Sequence, residues 1–393
     1  MNHSGKKAVV LGLGHSGEAA ANLLLEQGAA VTVCETSDSP AIRKKAESLS
    51  ARGASVLIGL EAESDPANYD FAVLSPGIDP VVPLVRNVIA KNIPVIGELE
   101  LAFQECVCPV VAITGTNGKT TIASLLFQLF QKAGYKTGLL STVKIVVDTN
   151  EYKATHTTPD SISINHYLNE MVNAGVEYCF MEVSSHAVDQ QRIAGVPFEA
   201  GVFTNITHDH LDYHKTFDNY IKAKKQFFDG LPSTAIAVTN KDDKNGMVML
   251  QNTKAMRYTY AMKQMADFTV KVSEHDFTGM QLHLNDTEFW SPLIGGFNAY
   301  NLCAVYATAF LLTDGDDELP IQMSALGKVN GRFEVLRGPQ RITAIVDYAH
   351  TPDALERVLR TLHGIAQSRA AKLWCVFGCN VVKEPWDDIE EEV

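Results

Sequence analysis

Val110-Val111-Ala112-Ile113-Thr114-Gly115-Thr116-Asn117-Gly118-Lys119-Thr120-Thr121 is an apolar run that breaks into a glycine loop and resumes as an apolar-periodic segment. The pattern predicts a strand, a phosphate loop and a helix. Gly115 and Gly118 let backbone N–H groups turn toward an anion, Lys119 can reach terminal phosphates, and Thr120 can place a hydroxyl on Mg²⁺. The usual Walker spacing would put its first glycine at position 113, where Ile113 stands, so the loop is a compressed Gly-Thr-Asn-Gly-Lys-Thr-Thr. A chance glycine turn before a helix is the bland alternative, and the lysine and two threonines in register argue against it. A nucleoside triphosphate site is expected here.

Upstream, Lys7-Ala-Val-Val-Leu-Gly-Leu-Gly14 reads as a buried strand entering a glycine turn, and Gly12, Gly14 and Gly17 complete a G-x-G-x-x-G pattern before an Ala-rich helix. A second strand, 30–34, ends at Glu35, about 20 residues after the turn, where an acid can meet a ribose. The same turn holds NAD or another nucleotide diphosphate. Further strands are predicted at 69–74, ending in Ser75-Pro76-Gly77-Ile78, and at 94–96, leading to Glu98-Leu99-Glu100. This alternation predicts a small doubly wound domain over residues 1–106.

Downstream, a helix over 120–133 and a strand near 136–140 lead to His156-Thr157-Thr158-Pro159-Asp160. Thr157 or Thr158 is either a helix cap or a ligand contact. An apolar strand ends at Glu182, followed by Ser184-Ser185-His186, and an acid at a strand end downstream of a phosphate loop suits Mg²⁺ or water orientation. A strand at 200–204 then enters Asn205-Ile206-Thr207-His208-Asp209-His210-Leu211-Asp212-Tyr213-His214. So dense a cluster of His and Asp predicts a cation or phosphate site, better suited to one imidazole in a carboxylate-rich Mg²⁺ or Mn²⁺ shell than to zinc. The helix over 216–228 presents Lys222, Lys224 and Lys225, and nothing local separates them from a solvated basic face. A strand is predicted at 234–239, and residues 255–290 alternate in the manner of antiparallel strands. Asn298 and Asn301 share a helical face suited to amide recognition of adenine, with an N-cap role a rival for Asn298. Gly331-Arg332-Phe333-Glu334 marks a boundary, followed by strands at 342–346 and 373–377 around a helix over 353–366, and an acidic tail.

At 393 residues with net charge −13, the chain is long enough for two or three domains and too acidic for a non-specific nucleic-acid or anionic-membrane surface. The scattered cysteines read as reduced thiols, and neither a signal peptide nor a spanning segment is evident. A cytoplasmic protein, without nucleic-acid or membrane partners, is expected.

Gly115-Thr-Asn-Gly-Lys-Thr-Thr121, Met181-Glu-Val-Ser-Ser-His186, Thr204-Asn-Ile-Thr-His-Asp-His-Leu-Asp-Tyr-His214, Gly331-Arg-Phe-Glu334 and Asp347-Tyr-Ala-His-Thr-Pro-Asp-Ala-Leu355 together resemble the Mur ligases. These ATP-dependent enzymes add amino acids to UDP-N-acetylmuramoyl peptides in peptidoglycan synthesis. From 107 to 379 the likeness is to the member adding the third residue, meso-diaminopimelate or lysine. The first 100 residues are similar instead to the D-glutamate-adding member, through Gly12-Leu-Gly-His-Ser-Gly17 and Ser75-Pro-Gly-Ile78.

The resemblance implies an α/β architecture: an N-terminal Rossmann-like domain (1–106), a central P-loop ATPase-like Mur ligase domain (107–330) and a partial C-terminal Rossmann-like domain (331–393). His15, Ser16, Glu35, Thr36 and Ser75 would lie by the UDP part of the substrate, and Thr157, Thr158, Ser184, Gln190 and Arg192 by the muramoyl-peptide side. Lys224 falls where the family has a carbamylated lysine, which with Glu182, His210 and Thr120 would hold Mg²⁺. ATP would meet Gly115, Thr116, Asn117, Gly118, Lys119, Thr120 and Thr121, with Asn298, Asn301, Arg332 and Asp347. Lys119, Glu182, His210, Lys224 and Arg332 are the implied catalytic set, in a protein expected to be monomeric. The family's Asp-Asn-Pro-Arg motif for the incoming amino acid is missing. Three other readings follow: D-glutamate addition to UDP-N-acetylmuramoyl-L-alanine, a truncated chain that binds without turnover, and a folylpolyglutamate synthase-like ligase.

Overall fold

A computed structural model describes residues 3–63, 68–75, 78–79, 81–98, 100–101, 108–207, 209–285, 287–316, 318–338, 342–368 and 370–378. Pro76, Gly77, Cys106, His208, Cys379 and the acidic tail lie outside the described residues. The chain forms two compact units: Met1–Ala112, Gly134–Ala200 and Leu231–Ala235 make one, and Ile113–Ala133, Gly201–Gly230 and Ile236–Val393 the other.

The first unit begins with β1 (Lys7–Leu11), α1 (His15–Glu26), β2 (Ala30–Glu35), α2 (Pro40–Ala51), β3 (Ser55–Ile58), α3 (Leu60–Glu63), β4 (Phe71–Leu74), α4 (Pro83–Ala90) and β5 (Val95–Gly97). Its strands pair in parallel in the order β3-β2-β1-β4-β5. After the exposed Lys7, β1 reads as an unbroken apolar run because both its faces are covered. Ala8 and Val10 pack with Ala20, Ala21 and Leu24 of α1, and Val9 and Leu11 with Leu84, Val85 and Val88 of α4. The strand order reverses at β1, so the glycine turn after it is the topological switch point where ligands sit in such sheets. A Cβ on Gly17 would lie 2.1 Å from the Gly12 carbonyl oxygen, so the third glycine of the motif is a close-packing requirement. The sequence pattern misses β3, whose four residues are too few to show a period.

β6 (Val110–Thr114) runs from this unit into α5 (Lys119–Lys132) of the other. The first unit resumes with β7 (Thr137–Leu140), β8 (Lys144–Val147), β9 (Asn150–Lys153), α6 (Ser161–Ala174), β10 (Tyr178–Glu182) and α7 (Ser185–Asp189). β10 pairs parallel to β7, and β7, β8 and β9 form an antiparallel meander. The cap of α6 is Asp160, whose carboxylate accepts from the Ser163 N–H at 3.0 Å. Thr157 and Thr158 are therefore not caps.

β11 (Phe198–Phe203) leads into the second unit, which continues with α8 (Leu211–His214), α9 (Phe217–Asp229), β12 (Ile236–Asn240), α10 (Gly246–Met249), β13 (Met256–Ala261), β14 (Phe268–Asp276), β15 (Gly279–Leu284) and β16 (Thr287–Ser291). The expected antiparallel run holds for β14, β15 and β16, but β13 pairs parallel to β12 and, at two positions, to β14. The helical crossover α10 between β12 and β13 makes their parallel pairing possible. α11 (Gly296–Leu312) is buried on most of its circumference from Asn298 to Ala309, so no polar face marks it in the sequence. α12 (Leu319–Ser324), β17 (Glu334–Arg337), β18 (Thr343–Val346) and α13 (Pro352–Ser368) follow. The strand expected at 373–377 does not form: Trp374 is 83% and Val376 99% exposed, and among the described residues β17 and β18 pair only with each other. An apolar run needs a ladder partner as well as composition to become a strand.

Candidate active site

In the second unit the loop 115–118 is held by the segment after β11. The Thr204 hydroxyl donates to the Asn117 carbonyl at 2.6 Å, the Thr116 N–H to the Asn205 carbonyl at 2.8 Å, and the Asn117 N–H to Asn205 Oδ1 at 3.0 Å. Gly118 (φ +88°) turns the chain into α5, and a Cβ there would lie 2.5 Å from Asn301 Oδ1. The N-terminus of α5 thus opens toward the loop, a geometry suited to an anion. Lys119 Nζ donates to the Gly115 and Thr116 carbonyls, both at 2.9 Å, folding back over its own loop. The Thr120 hydroxyl accepts from Arg332 Nη2 at 3.0 Å, and the Arg332 guanidinium lies 4.9 Å from the Tyr348 ring centre.

Of the three lysines on α9, the structure singles out Lys224. Lys222 is exposed and Lys225 pairs with Asp229 at 2.6 Å, whereas Lys224 is buried, donating to the Gly115 carbonyl at 3.0 Å and the Thr114 hydroxyl at 3.5 Å. Burial, and then the Lys119 charge, hold its pKa well below the ordinary lysine value, with the Asp209 carboxylate opposing. Tyr220, also buried, lays its ring 4.8 Å from Lys224 Nζ, and burial pushes its phenol well up. His210, in a left-handed conformation (φ +55°), has Nε2 3.4 Å from Asp209 Oδ2. The histidine-rich cluster divides: His214 is core, stacked on Tyr220 at 5.2 Å, and Asp212 is exposed. Among the described residues, no three His, Cys, Asp or Glu side chains converge as a metal site.

Asn298 lies inside α11, whose cap is Gly295, and is therefore not a cap; its Nδ2 donates to the Ile294 carbonyl at 2.8 Å, and Asn301 Nδ2 donates to Asn298 Oδ1 at 3.0 Å. Asp347 accepts from the Phe333 and Ala349 N–H groups at 2.6 and 2.8 Å, tying the 331–334 turn to the end of β18.

In the first unit, the side chains expected near a peptide substrate form one network. Fully buried Glu182 accepts at Oε1 from the Thr142 N–H (2.8 Å) and at Oε2 from the Thr142 hydroxyl (3.2 Å), which also reaches the Thr157 hydroxyl at 3.2 Å. The Thr158 hydroxyl donates to the Glu182 carbonyl at 2.9 Å and lies 3.3 Å from Ser184 Oγ. Arg192 donates to the Thr158 carbonyl at 3.0 Å and, through Nε at 2.9 Å and Nη2 at 2.6 Å, to Gln190 Oε1. At the glycine turn, Glu35 accepts from the Leu13 N–H at 2.7 Å and the Ser37 N–H at 2.8 Å, so its carboxylate braces the turn itself. Ser75 donates to Glu98, both buried, while His15, Ser16 and Thr36 are exposed around the turn.

Three family profiles match the chain: the Mur ligase middle domain at 113–309, the MurD-like N-terminal domain at 6–97, and the Mur ligase glutamate ligase domain at 331–390. The chain belongs to the Mur ligase family. A Cytophaga hutchinsonii protein named UDP-N-acetylmuramoyl-L-alanyl-D-glutamate–2,6-diaminopimelate ligase is 56% identical over 270 residues, 69% of this chain and 55% of the relative. A Phocaeicola vulgatus protein of the same name is 55% identical over 260 residues, 66% of this chain and 54% of the relative. The chain thus spans about half the length of the curated relatives it matches. A solved structure of a ligase of that name aligns with 91% of this chain and 71% of its own, at TM-score 0.60 and 28% identity. The MurF structure from Acinetobacter baumannii, 13% identical at TM-score 0.56, shares the fold.

Two residues of this Mur ligase escape its sequence pattern. Thr142 holds both oxygens of Glu182, and the only signal is a hydroxyl just beyond β7. Asp353 accepts from Asn117 Nδ2 at 3.1 Å and pairs with Arg357 at 3.1 Å, although in sequence it looks like an ordinary acid in the first turn of α13.

Proposed function

We propose that this Mur ligase adds meso-diaminopimelate or L-lysine to UDP-N-acetylmuramoyl-L-alanyl-D-glutamate in peptidoglycan synthesis, using ATP to form an acyl phosphate that the incoming amine attacks. The observation that carries the proposal is the phosphate loop at the α5 N-terminus, with Lys119 and the buried Lys224 on the same Gly115 carbonyl. The names of the Cytophaga and Phocaeicola relatives support the amino-acid class. We read the chain as three domains, 1–106, 107–330 and 331–393, a division that the positions of the matching profiles favour, and as a cytoplasmic monomer.

The protein's part is positioning and charge neutralisation. Lys119, freed from its loop carbonyls, would neutralise the terminal phosphates, and the backbone N–H groups at the α5 N-terminus would cradle them. Arg332, already on the Thr120 hydroxyl, would face charge developing in phosphoryl transfer. Asn298, Asn301 and Asp347 are proposed on the nucleotide side. Thr157, Thr158, Ser184, Gln190 and Arg192 are proposed for the peptide, and His15, Ser16, Glu35, Thr36 and Ser75 for the uridine diphosphate.

Lys224 fits the carbamate that the family likeness implies. CO₂ adds only to a neutral amine, and burial keeps this one neutral at lower pH than an ordinary lysine. Thr120, His210 and the carbamate would hold Mg²⁺, with Glu182 proposed for the same ion from the likeness alone. The ion would supply charge neutralisation to the transferring phosphoryl group. Lys119→Ala should abolish ATP-dependent phosphate release that requires the UDP-muramoyl dipeptide; unchanged release in that variant would sink the proposal.

The MurD-like profile at 6–97 favours a second reading, D-glutamate addition to UDP-N-acetylmuramoyl-L-alanine. Supplying the monopeptide with D-glutamate, and the dipeptide with diaminopimelate or lysine, separates the two by which pair yields product.

A further inference from the structure

Tyr220 has no place in the roles above, yet it touches three parts of the second unit's site. Its side chain is fully buried on α9. Its hydroxyl is 3.1 Å from Thr116 Oγ1, the loop hydroxyl that also accepts the Thr207 N–H at 3.0 Å. Its ring lies 4.8 Å from Lys224 Nζ, meets the His210 ring edge-on at 6.1 Å between centres, and stacks on His214 at 5.2 Å. One rigid aromatic therefore spans the phosphate loop, the segment that bears His210, and Lys224.

A core tyrosine needs only its ring to fill space, and a buried phenol without a partner is destabilising. Here the partner is a side chain of the phosphate loop itself. Thr116 is also held by the 205–207 segment, through its own N–H to the Asn205 carbonyl and through its hydroxyl at Thr207, and its carbonyl accepts from Lys119. The Tyr220 hydroxyl thus registers the loop against α9 at Thr116, one turn from where Lys224 of the same helix reaches the Gly115 carbonyl.

We propose that Tyr220 is a positioning residue for nucleotide binding: through its hydroxyl bond to Thr116 it fixes the phosphate loop at the distance from Lys224 and His210 that ATP requires. The inference rests on the reading of the loop as an ATP site. Tyr220→Phe keeps the ring and its packing and removes only the hydroxyl.

The test is a double-mutant cycle on the full chain, with ATP affinity measured by calorimetry for wild type, Tyr220→Phe, Thr116→Val and the double variant, and unfolding midpoints measured alongside. The expected result is an ATP affinity about three- to tenfold weaker in Tyr220→Phe, the scale of one neutral hydrogen bond. In the Thr116→Val background, Tyr220→Phe should have no further effect, because the partner is gone. Thr116→Ser, which keeps the hydroxyl, should bind ATP more tightly than Thr116→Val. An unchanged affinity in Tyr220→Phe, or additive effects in the double variant, would overturn the positioning role and leave Tyr220 as packing. Wild-type protein that fails to bind ATP would refute the nucleotide reading itself, a separate outcome.

Discussion

Gly118→Ala puts a single methyl group where the structure leaves no room. Gly118 has φ +88°, a conformation that costs a residue with a Cβ roughly 1–2 kcal/mol. The new Cβ would lie 2.5 Å from Asn301 Oδ1, with the next contact at 3.5 Å, so the amide of Asn301 has to move. Asn301 is only 7% exposed and donates to Asn298, and disturbing that bond adds about 0.5–1.5 kcal/mol. The total is roughly 2–3 kcal/mol against the native loop. Urea unfolding should show that loss, and calorimetric titration with ATP should show affinity lower by about one to two orders of magnitude, because only molecules with the native loop bind. Gly296→Ala is the control: its Cβ would meet nothing within 4 Å and its φ needs no glycine, so stability and affinity should stay close to wild type. Gly118→Ala within about 0.5 kcal/mol of wild type, with unchanged ATP affinity, would refute the loop geometry.

Other perturbations follow from single contacts. Asp160→Ala should cost about 1 kcal/mol in urea unfolding through loss of the α6 cap. The Ser163 backbone and hydroxyl bonds hold the Asp160 carboxyl below the ordinary aspartate value, so its stabilisation is complete above that value, falls away as pH drops through the lowered one, and should be absent from the pH profile of Asp160→Asn. With ¹³C-labelled bicarbonate, wild-type protein should show a carbamate carbon resonance that Lys224→Met lacks; because burial lowers the amine pKa, the signal should persist to lower pH than that of an exposed lysine and fade on further acidification as ammonium forms. Thr142→Val removes the hydroxyl bond to Glu182 Oε2 and should raise the Mg²⁺ concentration needed for half-maximal activity by about tenfold, whereas Thr142→Ser should not. Arg332→Lys keeps the charge but loses the planar fork that reaches Thr120 and stacks on Tyr348; kcat should fall by at least about 100-fold in steady-state assays.

Much of this arrangement is legible in the chain itself where local chemistry dictates it. The glycine turn after β1 and the loop before α5 declare themselves because their glycines answer to backbone geometry and close approach within a few residues. The five-stranded parallel sheet of the first unit shows as apolar runs because β1 is covered on both faces. Long-range partners are harder to read. Nothing local tells Lys224 from Lys222 and Lys225; the difference is that α9 turns one of them onto the Gly115 carbonyl. Thr158 looks like a cap until Asp160 is seen to be the cap, and its hydroxyl is then found on the Glu182 carbonyl across 24 residues of chain. Thr142 and Asp353 are ordinary residues whose partners lie 40 and 236 positions away. The run Leu373-Trp374-Cys375-Val376-Phe377 errs the other way, since its composition suits a strand while no ladder partner is beside it among the described residues.

The most direct test is mass spectrometry of the reaction product. Protein incubated with ATP, Mg²⁺, UDP-N-acetylmuramoyl-L-alanyl-D-glutamate and either meso-diaminopimelate or L-lysine should yield the UDP-muramoyl tripeptide together with ADP and phosphate in equal amounts, and Lys119→Ala should yield none. Nucleotide bound by the loop with no tripeptide from either amino acid would contradict the assignment of this chain as the third-residue ligase.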